Sequence, residues 1–194
     1  PELAEASAIA LTVATPAVTE VINYPRARFA PRPIEILSPI SLTTYAAVVE
    51  ELRPALPGPS RASGEWKRHR EFGLDGAPDS YIVDIDYTAC YELVEHPLLL
   101  QEVLLRSFDD LTVDSLRALL AGLGRADRGL PQMLSESDVL ADAYMSIVDR
   151  RLARHGRVIH RFADDIRTVA DSLEYADETI ELAAQFSREL GLLL

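Results

Sequence analysis

Two short runs with the composition of β-strands lie on either side of a pair of adjacent aspartates near the C-terminal end of the chain. Residues 157–162 and 166–170 are rich in β-branched and aromatic side chains, and they flank Ala163, Asp164 and Asp165. A connection this short predicts a β-hairpin whose turn carries two carboxylates. No other feature constrains the fold as strongly, because strands joined by so short a turn must pair in an antiparallel sheet.

A second predicted strand also ends in carboxylates. Residues 81–86 (Tyr-Ile-Val-Asp-Ile-Asp) have strand character, and Asp84 and Asp86 lie on the same face because side chains alternate along a strand. The residues alone leave either aspartate as the partner of the acidic turn. Taken singly, acidic turns are usually structural. Three carboxylates on neighbouring strand ends, however, form an oxygen-ligand set suited to Mg²⁺.

Helical patterns fill much of the chain after residue 80. The spacing predicts helices over residues 97–108, from Thr112 to Gly122 or Gly124, over residues 135–154 and over residues 177–190, with a final strand starting at residue 192. This order predicts an α+β fold in which an antiparallel sheet carries helices on one face. Most of the twelve prolines lie in the first 60 residues, which favours irregular or short extended structure there, apart from a helix near residues 44–56.

The charge balance argues against a typical nucleic-acid-binding protein. The chain has 19 Lys and Arg against 31 Asp and Glu, a net charge of −12, whereas nucleic-acid binders usually carry a basic surface. The acidic excess falls mostly in residues 81–194. The first 80 residues keep two basic clusters that could hold phosphates, formed by Arg26, Arg28 and Arg32 and by Arg61, Lys67, Arg68 and Arg70.

The single cysteine, Cys90, excludes an intrachain disulfide and a cysteine-based zinc cluster. No apolar run approaches the roughly 20 residues that a membrane helix needs, so we expect a soluble protein without a membrane partner. A cytoplasmic location suits this cysteine usage.

Three motifs resemble those of reverse transcriptases. Residues 161–166 (Arg-Phe-Ala-Asp-Asp-Ile) resemble the (Y/F)xDD motif, in the R-Y-A-D-D form of retron, group II intron and defence-associated bacterial enzymes. Residues 86–96 (Asp-Tyr-Thr-Ala-Cys-Tyr-Glu-Leu-Val-Glu-His) resemble the first palm motif, D-I-x-x-F-F-x-x-I-x-H. Residues 128–132 (Arg-Gly-Leu-Pro-Gln), followed by Ser137, resemble R-G-L-P-Q-G-x-x-x-S. The three motifs follow the family's order along the chain.

The resemblance implies a right-hand polymerase palm over residues 80–194, incomplete at its C-terminal end and without a thumb, and a fingers-like region over residues 1–79. It favours Asp86 over Asp84 as a metal ligand. Asp86, Asp164 and, less directly, Asp165 would hold two Mg²⁺ ions, with Mn²⁺ as the alternative. The implied activity is RNA-directed DNA polymerisation, in which a dNTP is joined to a primer 3′-hydroxyl.

The resemblance also implies a substrate pocket. Tyr91 falls at the position of an aromatic gate that rejects the ribose 2′-hydroxyl, although a core aromatic is the simpler interpretation of the residue itself. Gln132, with Tyr87 and Pro131, would line the nucleotide pocket. Arg128 and Arg161 are weaker candidates for phosphate contacts, because surface ion pairing explains them equally well. Two positions depart from the family pattern: Cys90 replaces an aromatic residue and Met133 replaces a glycine.

The implied partners are an RNA template, a DNA or RNA primer and dNTPs, with a dedicated non-coding RNA as an additional candidate. The sequence does not predict an oligomeric state. Three alternatives remain open. The first is a retron-like or intron-like enzyme that copies a dedicated RNA. The second is an antiphage defence enzyme that makes DNA without a conventional template or from a protein primer. The third is a palm fold that serves as a non-catalytic scaffold.

Overall fold

The computed structural model describes residues 18–27, 30–77, 79–122 and 127–194, so Arg28 of the first basic cluster and Gly124, one predicted helix end, lie outside the described residues. The elements in chain order are β1 (Val18–Ala27), β2 (Ala30–Leu37), α1 (Pro39–Leu52), α2 (Glu65–Glu71), β3 (Tyr81–Asp86), α3 (Cys90–Leu93), α4 (His96–Ser107), α5 (Asp110–Ala121), α6 (Ser135–Arg154), β4 (Ile159–Phe162), β5 (Asp165–Ala170) and α7 (Leu173–Glu189).

The predicted hairpin supplies the central strand, β5, and one edge strand, β4, of a three-stranded antiparallel sheet with the order β3–β5–β4. Ile85 pairs with Ile166, and both side chains are buried on the inner face, against α6 and α7. The α+β class and the antiparallel sheet are therefore confirmed. The helices do not all lie on one face, however. The outer face carries Phe162, whose ring lies 5.1 Å from that of Trp66 in α2. A short aromatic-bearing helix thus covers the second face as well.

Helix α6 lies at the centre of the hydrophobic core and buries almost every residue from 137 to 148. A helix buried on all sides is normally apolar throughout. Three polar side chains, Ser137, Asp142 and Ser146, are nevertheless buried in it, and each has a partner. Ser146 Oγ donates to the Ala143 carbonyl at 2.6 Å. Ser137 Oγ lies 3.1 Å from the Tyr45 hydroxyl of α1, and Asp142 pairs with Arg161 of β4. Among the described residues, no helix has both the length and the apolar character that a membrane crossing requires.

Three helix starts and the final strand differ from the sequence prediction. Helix α1 begins at Pro39, five residues before the predicted start, because the Ser38 hydroxyl accepts the Ser41 N–H. Asp109 caps helix α5, because its carboxylate accepts the Thr112 N–H. Thr112 is therefore the hydrogen-bond donor within the first turn and not the residue that starts the helix. Helix α7 begins at Leu173, four residues before the predicted start, because the Ser172 hydroxyl accepts the Tyr175 N–H. The predicted strand at residues 192–194 is reduced to one isolated bridge between Thr88 and Leu193.

The proline-rich N-terminal region forms a two-stranded ribbon of β1 and β2 instead of short irregular pieces. Pro25 lies opposite Pro31, and Pro33 lies opposite Asn23. Each strand of a two-stranded ribbon has a free edge, so a residue without an N–H can be accommodated without breaking a central ladder. The density of prolines was therefore a poor guide to the length of these strands.

Candidate functional site

The three predicted metal-binding aspartates meet at one end of the sheet. Asp86 is the last residue of β3 and pairs with Asp165, the first residue of β5. Asp164 lies in the turn that precedes Asp165, and its carbonyl accepts the Tyr87 N–H at 3.3 Å. The Asp164 side chain is about a third exposed, and Asp86 is exposed. The backbone pairing therefore brings the ends of two strands and the acidic turn together.

The pKa of Asp165 shows the effect of burial and of the negative charges that lie near it at this end of the sheet. Burial raises the pKa of the Asp165 carboxyl, and the charges of Asp164 and Asp86 raise it further. The chemistry of this donor set fits Mg²⁺, which prefers carboxylate oxygens. Among the described residues, no three His, Cys, Asp or Glu side chains are already gathered closely enough to hold an ion. Mg²⁺ in phosphate-transfer sites usually takes only one or two carboxylates together with water and substrate phosphates, so a preformed cage of three is not required.

A closed ring of hydrogen bonds fixes the residue before Asp164. The Ala163 N–H donates to Ser60 Oγ at 3.0 Å, and the Ala163 carbonyl accepts from Arg161 Nη1 at 3.0 Å. Arg161 Nη1 also contacts Asp142 Oδ1 at 2.6 Å, and Asp142 Oδ2 accepts the Ser60 N–H at 2.8 Å. We call Ser60, Asp142, Arg161 and Ala163 the turn clamp. It connects the loop before α2, helix α6 and the acidic turn.

Arg161 is therefore not a surface contact for nucleic acid, and the prediction for it needs correction. Its side chain is only 8% exposed and also donates to Asp149 at 2.8 Å. Burial disfavours its charge, but Asp149 and Asp142 outweigh that effect and raise its pKa. Arg128 differs: it is half exposed and pairs with Glu95 at 2.7 Å, so it remains accessible at the surface.

A cleft of about 470 Å³ opens beside Asp164. Tyr91 and Gln132, the predicted gate and nucleotide-pocket residues, both lie in its wall. The Tyr91 hydroxyl donates to Asp138 at 2.5 Å, and the Gln132 amide donates to Glu92 at 3.2 Å. Glu92, Asp138 and Asp164 also line the cleft and make it acidic. The remaining lining residues are Pro31, Arg32, Arg61, Thr88, Ala89, Cys90, Met133, Leu134 and Ser135.

Two arginines bring positive charge to this acidic cleft. Arg61 lies 3.7 Å from the Asp164 carboxylate, and Arg32 is placed on the same cleft by strand β2. Each comes from one of the two basic clusters seen in the sequence. Sequence reasoning identified the clusters but could not say which member of each would face the acidic turn.

Tyr87 and Pro131 were also predicted to line the substrate pocket, and the structure places both elsewhere. Tyr87 is 2% exposed, because the alternation along β3 turns it inward after the outward-facing Asp86. Its hydroxyl accepts from Ser187 of α7 at 3.4 Å. Pro131 is buried next to Gln132 and is not among the residues that line the cleft.

Strained backbone is concentrated at the same place. Five described residues other than glycine have positive φ, and three of them, Ala89, Met133 and Ala163, belong to the cleft or the acidic turn. The left-handed region is unfavourable for residues with a Cβ atom, and such strain is often kept at functional sites.

Sequence reasoning missed Ser60, Asp138 and Asp142. The turn clamp joins Ser60 to Ala163 over 103 positions, and no local pattern marks a contact of that separation. Asp138 and Asp142 lie one turn apart on α6 among apolar residues. A charged residue within a largely apolar helix is the one signal that could have pointed to Asp142.

The fold is similar to that of a solved telomerase structure. The solved structure of apo telomerase from Candida tropicalis, truncated from its C-terminal domain, matches this chain with a TM-score of 0.58 at 13% sequence identity. The match covers 92% of this chain and 49% of the telomerase chain, so the chain spans about half the length of that protein. No protein-family model and no curated protein sequence matches the chain. Similarity at this level of identity concerns the fold alone.

Proposed function

We propose that the chain is the fingers-and-palm part of an RNA-directed DNA polymerase that joins dNTPs to a primer 3′-hydroxyl. Residues 1–79 would be fingers-like and residues 80–194 would form the palm. The observation that carries the proposal is the meeting of Asp86, Asp164 and Asp165 at one sheet end, beside a cleft of about 470 Å³. The motif resemblance and the fold similarity support it independently.

In this proposal Asp86, Asp164 and, less directly, Asp165 hold two Mg²⁺ ions, with Mn²⁺ as an alternative. Such ions activate the attacking hydroxyl and neutralise charge on the transferred phosphoryl and leaving pyrophosphate. The raised pKa of Asp165 supports this role, because a site where carboxylates repel one another gains from a cation. The turn clamp contributes by fixing Ala163, so that Asp164 is presented in one orientation.

The cleft supplies groups suited to a nucleoside triphosphate. Arg61 and Arg32 can contact phosphate oxygens, since a guanidinium donates several N–H groups in a planar fork. Arg61 contacts Asp164 in this structure, so a bound triphosphate would offer it a second anionic partner. The hydrogen bond from the Tyr91 hydroxyl to Asp138 fixes the position of the ring, and a ring held in place is well suited to exclude a ribose 2′-hydroxyl. Arg128 is the remaining surface candidate for a template or primer phosphate.

The proposed partners are an RNA template, a DNA or RNA primer and dNTPs, with a dedicated non-coding RNA as a further candidate. The R-Y-A-D-D-like motif favours a bacterial retroelement-derived or antiphage-defence enzyme, including one that works without a template or from a protein primer. The net charge of −12 disfavours the binding of nucleic acid by these 194 residues as a whole, so the proposal depends on the local positive charge of the arginines.

Primer extension by the purified protein tests the proposal. We expect Mg²⁺-dependent dNTP incorporation on an RNA template, and loss of at least about 100-fold in Asp86→Asn and Asp164→Asn, because each variant removes a charged metal ligand. Asp84→Asn is the matched control. Asp84 lies on the same strand but pairs with Arg167 at 2.6 Å, so its loss should leave incorporation unchanged. Equal activity in all three variants would contradict the assignment.

A non-catalytic scaffold is the second candidate, and two observations favour it. Arg61 already provides Asp164 with a positive partner, and the described carboxylates are not gathered into a preformed cage. Mn²⁺ titration followed by electron paramagnetic resonance separates the two functions. A polymerase predicts binding that weakens in Asp164→Asn, whereas a scaffold predicts no difference between this variant and the wild type.

A further inference from the structure

Met133 has a backbone conformation that is unfavourable for a residue with a Cβ atom. Its φ of 66° lies in the left-handed region, where Cβ crowds the following carbonyl oxygen, whereas a glycine would adopt this conformation freely. Its side chain is 73% exposed, so packing offsets little of this strain. It projects from the cleft wall between the buried Gln132 and the partly buried Leu134.

Phe108 is a second exposed residue with the same backbone conformation. Phe108 has a φ of 52° and is 84% exposed. It ends helix α4, and its N–H donates to the Leu104 carbonyl at 2.9 Å, which is the usual left-handed helix cap. Met133 ends no helix: it lies two residues before α6, whose N-cap is Leu134. It lies instead in a turn formed with Gln132, where a glycine would adopt the same φ without strain, yet the chain has a methionine whose side chain is exposed in the cleft.

We propose that Met133 is a specificity-determining residue whose side chain packs against a nucleobase bound in the cleft. This inference rests on the proposed function, because it takes the cleft to be a nucleotide site. An unbranched thioether adapts to flat surfaces and makes favourable contacts between sulfur and aromatic rings. Arg61 and Asp164 mark where the phosphates and their ions bind in this cleft, and Met133 provides an apolar contact for the base.

Two substitutions separate the side chain from the backbone. Met133→Ala keeps a Cβ and therefore the strain, but loses the thioether, and we expect kcat/KM for dNTP to fall about tenfold, the upper range for the loss of one sulfur–aromatic contact. Met133→Gly should show the same fall, with a rise in Tm of roughly 2 °C because the strain is relieved. Greater stability combined with lower activity is the result that a purely structural methionine would not give.

Phe108→Gly is the matched control, because it relieves the same conformation at an exposed residue outside the cleft. It should raise Tm by a similar amount and leave kcat/KM unchanged. The inference is overturned if Met133→Ala retains kcat/KM within about twofold of the wild type, since the proposed contact between the thioether and the base should contribute more than that.

The base could belong to the incoming nucleotide or to the template. If Met133 contacts the incoming base, Met133→Ala should raise the KM for dNTP and leave the Kd for template–primer unchanged. If Met133 contacts the template base, the variant should raise the Kd for template–primer. Either result supports the inference. Calorimetric titration with dATP provides a readout without turnover. A wild-type protein that binds dATP more tightly than Met133→Ala but extends no primer would contradict the proposed polymerase alone. A wild-type protein that binds no dNTP would overturn both.

Discussion

Replacement of Arg161 by methionine tests whether this residue is a buried structural partner. Methionine keeps much of the volume but removes the charge, which leaves Asp142, 2% exposed, and the Asp149 carboxylate without their cation. Removing one member of a buried ion pair costs about 3–5 kcal/mol, because the remaining charge is buried without compensation. In a protein of this size we expect Tm to fall by roughly 6–20 °C. The deficit should shrink on acidification, because protonation neutralises the two stranded carboxylates.

Urea unfolding followed by circular dichroism measures this loss. Arg128→Met is the matched control, because Arg128 forms an ion pair of similar length with Glu95, 2.7 Å, at the surface. Exposed pairs contribute about 0–1 kcal/mol, so this variant should be nearly as stable as the wild type. If Arg161→Met loses no more than Arg128→Met, the turn clamp does not depend on a buried ion pair and our account of Arg161 is wrong.

Two further predictions concern titratable groups near the site. Because the pKa of Asp165 is higher in the folded than in the unfolded state, its ionisation costs the folded state stability. Asp165→Asn should therefore be more stable than the wild type at pH 7, and the gain should vanish as pH falls below the unfolded pKa of about 4, which urea titrations at several pH values would reveal. Burial raises the pKa of Cys90 to about 12, and its thiol donates to Met145 Sδ at 3.3 Å. A thiol reagent at pH 8 should label it only as fast as the protein opens, and rapid labelling of the native protein would contradict this.

The parts of the fold that sequence predicted well are those encoded by local patterns. The hairpin, β3 and the helix from residue 135 to 154 follow from strand composition and helical spacing within one segment. The start of α7 was missed because the Ser172 cap precedes Leu173, which is 60% exposed and breaks the apolar pattern. The N-terminal ribbon was missed because proline propensity describes central strands better than strands with a free edge.

The residues of the candidate site also divide into those that a local pattern predicts and those that depend on contacts between distant elements. That Asp86, Asp164 and Asp165 come together could be predicted, because each motif fixes residues close together in sequence and β3–β5 pairing then joins the two segments. Their role as metal ligands stays a prediction. Tyr87 and Arg161 were misassigned because a motif gives position along the chain and not the direction of the side chain. The contacts of Ser60 and of Asp138 depend on packing between distant elements, which no single-segment pattern encodes.

The pairing of β3 with β5 has a consequence for how such a chain can vary. Six consecutive residue pairs, from Tyr81 with Ala170 to Asp86 with Asp165, hold the two strands in one register. A slip of one residue would turn Asp86 toward the core and bring Ile85 out beside the acidic turn. Substitutions along β3 change one side chain at a time. The insertion or deletion of a single residue there would shift the register and separate Asp86 from Asp164 and Asp165. Over evolutionary time the length of this strand should therefore be more strictly preserved than its composition.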